Sequence, residues 1–128
     1  MQNNLNTLRI YTQSLQLSNR VWDTYTKLSK ENKSIIGNQI VRSTDSIGAN
    51  IAEAYGRFHI KDSIKFLYYS RGSLYETMHW ISLMEERDLI SKSTLEKSSL
   101  ILFNRFSSDS NSKAPTLILI HEKPLLIF

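Results

Sequence analysis

The chain has 128 residues, the size of one domain, and that is enough to bury a core without covalent staples. It has no cysteine, which excludes disulfides and thiolate metal sites, and its 4 glycines and 2 prolines are too few for the many tight turns of an all-β domain. With 16 Lys and Arg against 12 Asp and Glu the net charge is +4, which permits a nucleic-acid or acidic partner without demanding one.

No apolar run reaches the roughly 18 residues of a membrane-spanning helix. The opening residues lack the basic-then-apolar pattern of a secretory signal, so a soluble, cytoplasmic protein without membrane contact is expected.

Hydrophobic spacing predicts a first helix over roughly residues 5–29. Leu8, Tyr11, Leu15, Trp22 and Tyr25 form its stripe, Val21 and Leu28 widen it, and Asn4, Asn6 or Thr7 can cap its start. The polar run Ser29-Lys30-Glu31-Asn32-Lys33 reads as the connection. A second helix, capped by Ser34 or Asn32, carries Ile36, Ile40, Ile47, Ile51 and Ala54, with Val41 and Phe58 near the seam. Gly48, Ala49, Ala52 and Ala54 are small enough to admit a close neighbour, and Gly56 marks the end.

The third helix is the longest. Ile60, Ile64, Leu67, Leu74, Met78 and Ile81 make one stripe, and Tyr68, Tyr75 and Leu83 or Met84 a second beside it. So wide an arc touches more than one neighbour, and Gly72 suggests a close crossing. The helix is expected to end near Arg87-Asp88-Leu89. In the fourth, Ser91 or Ser93 can cap, and Ser93 to Glu96 has capping-box spacing. Leu95, Leu102 and Phe106 form its stripe, with Ile101 beside it, before periodicity fails in the serine-rich run from Ser107 to Ser112.

Short connections between such helices favour antiparallel neighbours, so the fold class is all-α, an antiparallel up-down-up-down four-helix bundle with an irregular C-terminal tail. The bundle is assigned to residues 1–107, and residues 108–128 to a linker and apolar tail. The tail is compatible with a strand pair, a swapped arm packed on a neighbouring subunit, or disorder.

Residues suited to catalysis are sparse. Glu76-Thr77-Met78-His79 has the Glu-x-x-His spacing of a di-iron bundle and Glu53 offers another carboxylate, but the second Glu-x-x-His is missing. No catalytic residue, metal or cofactor is therefore expected. The basic residues are more informative. Arg57, His59, Lys61 and Lys65 gather at the junction of the second and third helices, and Arg20, Lys27, Lys30 and Lys33 near the first connection. Tyr55, Phe58, Tyr68 and Tyr69 lie near the junction, where rings can stack on bases. From residues alone, charged solvated helix ends come first and nucleic-acid contact second.

The stretch from Gln39 to Arg57, read with Phe66 and Gly72-Ser73-Leu74-Tyr75-Glu76, resembles the two signature blocks of the four-helix-bundle proteins encoded within intervening sequences of bacterial 23S rRNA genes. The likeness covers about residues 8–105. Gly48 stands where the family often has proline, Ala54 where it has glycine, and Ser29 where a proline follows the first helix. The tail beyond about Ser107 does not follow the family, which continues its fourth helix. The resemblance implies the bundle, ring-like homo-oligomers, commonly homopentamers, and no catalytic activity. It extends to basic accessory proteins of diversity-generating retroelements, which bind a reverse transcriptase and nucleic acid.

Three functions follow as expectations. The first is a non-enzymatic nucleic-acid (RNA or DNA) associated module, with Arg42, Arg57, Lys61, Lys65 and Arg71 as contacts to phosphate. The second is a protein-binding adaptor, and the third and least expected is an enzyme. Ser46, Asn50 and Glu53 share a helical face, and with Ser73 and Glu76 they are expected to form a buried polar network that fixes register or a subunit interface.

Overall fold

The computed structural model describes residues 4–92 and 94–107. Four helical rods make up most of these, and no strand occurs among the described residues. A 3-10 turn, Asn4–Thr7, leads into the first helix, Arg9–Thr26. The second rod opens with an α-turn, Lys30–Asn32, widens into a π segment, Lys33–Gly37, and continues as the α-helix Asn38–Gly56. The third helix is Ile60–Glu86 and the fourth Thr94–Ser107. Residue 93, one of the expected caps, and the serine-rich linker and tail beyond residue 107 lie outside the described residues.

The helix ends depart from expectation for local reasons. No side chain caps the first helix from its N-cap, Leu8. Leu5 and Leu8 are instead buried, and the Leu8 amide donates to the Leu5 carbonyl at 3.0 Å, so apolar anchoring sets the entry. The second rod starts earlier than its polar sequence suggested. The Ser29 hydroxyl accepts from the Asn32 amide at 3.1 Å, which satisfies an orphan donor and lets Lys30, Glu31 and Asn32 turn helical. In the π segment a Cβ on Gly37 would lie 2.8 Å from the Tyr25 ring, so only glycine fits there. The Tyr25 hydroxyl donates to Asn38 Oδ1 at 3.0 Å and closes the joint between the first two helices.

The third helix ends in a Schellman motif. Leu89 N donates to Met84 O at 2.9 Å and Asp88 N to Glu85 O at 3.1 Å, with Asp88 at a left-handed φ of 56°. Leu89 packs back on the core.

The core is one cluster fed by all four helices. Ile36, Ile40, Ile47, Ile51 and Ala54 are all buried, as their spacing predicted, and so are Leu67, Leu74, Ile81, Leu95, Leu102 and Phe106. The first helix is rotated from its predicted face. Leu8 and Val21 of that face are buried, but the buried face is centred on Ile10, Ser14, Leu17 and Val21 rather than on Tyr11, Leu15 and Trp22, a turn of about 100°. Leu15 and Trp22 are 40% and 53% exposed. Ser14 hid the true stripe, because a buried serine reads as a surface residue. Phe58 is also solvent-facing, on the short link between the second and third helices.

The second and third helices share the largest contact. The first packs on the second and the fourth, and the fourth on the third, so each rod has two neighbours around one core. Gly48 faces Ser14 and Tyr11 on the first helix, whereas Gly37 faces Tyr25 and Leu28. Ser70 bonds to Ile47, whereas Thr77 reaches Ser43 and Thr44. Along both contacts the residue number on the second helix falls as the partner's rises.

Candidate functional site

The second helix stops at Arg57, whose extended backbone breaks the helical path, and the third restarts after His59. This short link brings Arg57 beside the first turns of the third helix. The Arg57 guanidinium bonds to Glu53 Oε1 at 2.6 Å and lies 4.6 Å from the Phe66 ring centroid. Lys61 is exposed in the first turn and forms no ion pair among the described residues, and Lys65 follows one turn later on the same side. The Lys65 ammonium sits 5.8 Å from the Tyr69 ring and the Arg71 guanidinium 5.6 Å from Tyr75. Three of the predicted cations thus lie over aromatic rings. Such contacts restrict a long side chain while leaving its charge in place.

The rings are braced in turn. Phe66 and Tyr69 meet edge to face at 5.6 Å, and Tyr75 meets Phe103 of the fourth helix at 5.7 Å. Tyr68, Tyr69 and Tyr75 are each about half exposed. A Cβ on Gly72 would meet nothing within 4 Å, so the close crossing expected there does not occur among the described residues.

Arg42 does not join this group. It stands on the same helix about 22 Å before Arg57 and donates to Gln39 Oε1 at 2.5 Å. The cations near the first connection are dispersed as well. Arg20 donates to Ser98 at 2.6 Å, while Lys33 lies 5.4 Å from the Tyr25 ring.

The third helix is electrically lopsided. From Ile60 to Tyr75 it carries Lys61, Lys65 and Arg71 against Asp62, and from Glu76 to its end Glu76, Glu85 and Glu86 without a lysine or arginine. A helix dipole favours the reverse order, anions first and cations last. Lys61 in the first turn and Glu85 and Glu86 in the last therefore each work against it.

The expected network of Ser46, Asn50, Glu53, Ser73 and Glu76 does not form within one chain. The Ser46 hydroxyl donates to the Arg42 carbonyl and the Asn50 amide to the Ser46 carbonyl, both at 2.9 Å inside one helix. Glu53 holds Arg57, and Glu76 accepts from Trp80 Nε1 at 3.3 Å. Ser73 contributes its carbonyl to Thr77. These side chains sit toward the outer side of the seam and find partners one turn away.

The buried polar layer is made by other residues, Ser43, Thr44, Ser70 and Thr77. Thr77 Oγ1 is 3.0 Å from Ser43 Oγ and accepts at 3.4 Å from Thr44, while Ser70 donates to the Ile47 carbonyl at 2.8 Å. A sequence signal for it existed: these hydroxyl residues occupy the same three- and four-residue steps as Ile40, Ile47, Leu67 and Leu74.

Open clefts lie elsewhere among the described residues. One, of about 430 Å³, is lined by Arg20 and Asp23 of the first helix, by Lys27 just past its end, and by Leu89, Ile90 and Leu95. Another, of about 320 Å³, runs between the first two helices over Gly48, Ala49 and Ala52, with Leu15 on its wall. Among the described residues no three His, Asp or Glu side chains come together in a metal-ligating group, and no helix is long and apolar enough to cross a membrane.

Residues 6–103 match the family model for the 23S rRNA-intervening sequence protein. Among solved structures the chain is similar to a protein of unknown function from the S23 ribosomal protein family of Bacteroides thetaiotaomicron. The two are 26% identical with a TM-score of 0.67, over 89% of this chain and 98% of that one. No curated protein matches the sequence.

Proposed function

Because the chain belongs to the 23S rRNA-intervening sequence protein family, we propose that it acts without catalysis, as an oligomeric helical module that associates with nucleic acid, RNA first, through the basic half of its third helix. The observation that carries this reading is the placement of charge. Lys61 is exposed on the first turn, where a helix least favours a cation, Lys65 is exposed one turn later, and Arg57, Lys65 and Arg71 are each set over a ring. Folding gains little from that arrangement, whereas a polyanion gains from it.

The topology that goes with this reading is antiparallel, up-down-up-down, in keeping with the short link at residues 57–59 and the opposed numbering along both contacts of the second helix. Self-association, with a homopentamer as the form the family resemblance implies, would repeat the basic face and multiply weak phosphate contacts. The small-residue cleft beside exposed Leu15 is the surface that supports it, and half-buried Asn50 stands near that cleft on the second helix.

Fluorescence anisotropy with a structured ribosomal RNA fragment tests the proposal at low and moderate salt. Micromolar or tighter binding, weakening steeply with salt and lost on Lys61→Glu with Lys65→Glu, is expected. Absence of binding at low salt would overturn it and favour a second reading, a protein adaptor docking through the exposed apolar residues Leu15, Trp22, Leu100 and Ile101.

A further inference from the structure

We infer that the exposed face of the third helix around Gly72 takes unpaired nucleotides, with Tyr68 as the ring on which a base stacks. This rests on the nucleic-acid reading above and narrows its ligand to single strands.

Lys61, Lys65, Tyr68, Gly72 and Tyr75 recur at steps of four and three, and all five are exposed, so they form one stripe along the helix. Tyr68 is 49% exposed and makes no hydrogen bond or ring contact among the described residues. Its two neighbours are braced edge-on by Phe66 and Phe103, which fixes them without covering them fully. A half-exposed ring with no ring partner among the described residues leaves part of its π face open, and that face is what an unpaired base stacks on.

Gly72 is the second observation. Glycine is the poorest residue after proline in a helix interior, and here the space for a side chain is empty. Nothing among the described residues requires glycine at this position. What it does is leave a gap between Tyr68 and Tyr75, through which a nucleotide reaches the helix backbone.

Charge and length agree with a strand lying along the stripe. Lys61, Lys65 and Arg71 flank the rings, and Glu76 ends the basic stretch. From Lys61 to Tyr75 the helix rises about 21 Å, close to six steps of about 3.4 Å in a stacked strand. A duplex keeps its base faces hidden and offers the lysines only phosphate, so it would leave the tyrosines unused.

The test is anisotropy with labelled oligouridines of about three, six and twelve nucleotides and a duplex RNA of the longest length. The protein is used as wild type, Tyr68→Ala, Tyr68→Phe, Gly72→Gln and Lys65→Glu, each checked for helicity. Single strands should bind at least about tenfold tighter than duplex, with affinity rising steeply up to about six nucleotides. Tyr68→Ala and Gly72→Gln should each weaken binding about tenfold with the salt slope unchanged, and Tyr68→Phe should retain it. Lys65→Glu should lower the slope. Equal binding of duplex, or full binding by Tyr68→Ala beside a loss in Lys65→Glu, overturns the inference and leaves the basic-surface reading intact. No binding of any RNA at low salt fails both. A change in sedimentation of Tyr68→Ala without loss of RNA affinity overturns it by assigning the face to contacts between copies.

Discussion

Gly48 offers the sharpest test of the packing, because a single atom decides the sign of its substitution. A Cβ there would lie 2.8 Å from the Ser14 hydroxyl, with the next neighbour, Ser14 Cβ, at 3.7 Å and in ordinary contact. The buried hydroxyl is held by the Tyr11 carbonyl at 2.6 Å, so moving it aside leaves it unpaired at about 1–3 kcal/mol, and leaving it in place overpacks the crossing by about 1–3 kcal/mol. Alanine's helix propensity returns about 1 kcal/mol. Gly48→Ala should therefore lower stability by about 1 kcal/mol net. In a Ser14→Ala background the obstructing atom is gone and only the propensity gain remains, so the same substitution should raise stability by about 1 kcal/mol. Urea unfolding of the wild type, both single variants and the double, followed by circular dichroism, reads a coupling of about 2 kcal/mol. Additivity within about 0.5 kcal/mol would refute the reasoning, since the clash would then not be with Ser14.

Three further outcomes are expected. Asp88→Gly should stabilise the protein by roughly 0.5–1 kcal/mol in thermal unfolding, because φ at this C-terminal turn is 56° and glycine accepts it without a Cβ penalty. Thr77→Val should cost about 1–2 kcal/mol by removing the hydroxyl shared by Ser43 and Thr44, and the cost should shrink when Ser43 and Thr44 are made apolar as well. Lys61→Glu should raise stability by roughly 0.5–1 kcal/mol at low salt, from the helix dipole and a new pairing with Lys65, while nucleic-acid affinity falls. A loss of both would mark Lys61 as structural.

Much of the bundle was legible in the sequence, though unevenly. The isoleucines of the second helix recur on both sides of Ser43 and Thr44, and their buried face was plain. On the first helix Ser14 broke the apolar pattern, and large residues at Leu15 and Trp22 drew the predicted face away from Ile10 and Leu17. The start of the second rod was hidden because Ser29 caps a turn made only of polar residues. At the candidate site, Lys61 and Lys65 could be placed together because a one-turn spacing on a single helix fixes their relation. The separation of Arg42 from Arg57 was legible as well, about four turns along one helix, and that distance keeps Arg42 out of the group. The buried hydroxyl layer escaped because each of its members bonds to a backbone carbonyl or another hydroxyl, and composition does not distinguish such residues from surface ones. From sequence Gly72 reads as a crossing point, and only the structure reveals the empty space beside it.

The π segment at Lys33–Gly37 has a consequence for how this chain tolerates change in length. A π turn holds one residue more than the α-turn it replaces, so the second rod carries a spare residue between its Ser29 start and its isoleucine seam. Loss of one residue there can be absorbed by a return to α-geometry downstream of the cap, leaving Ile40, Ile47 and Ile51 in register with the third helix. The same loss within Asn38–Gly56 would turn every later side chain by about 100° and pull the seam apart. Insertions and deletions among homologous chains should therefore collect at this joint and spare the helix that follows.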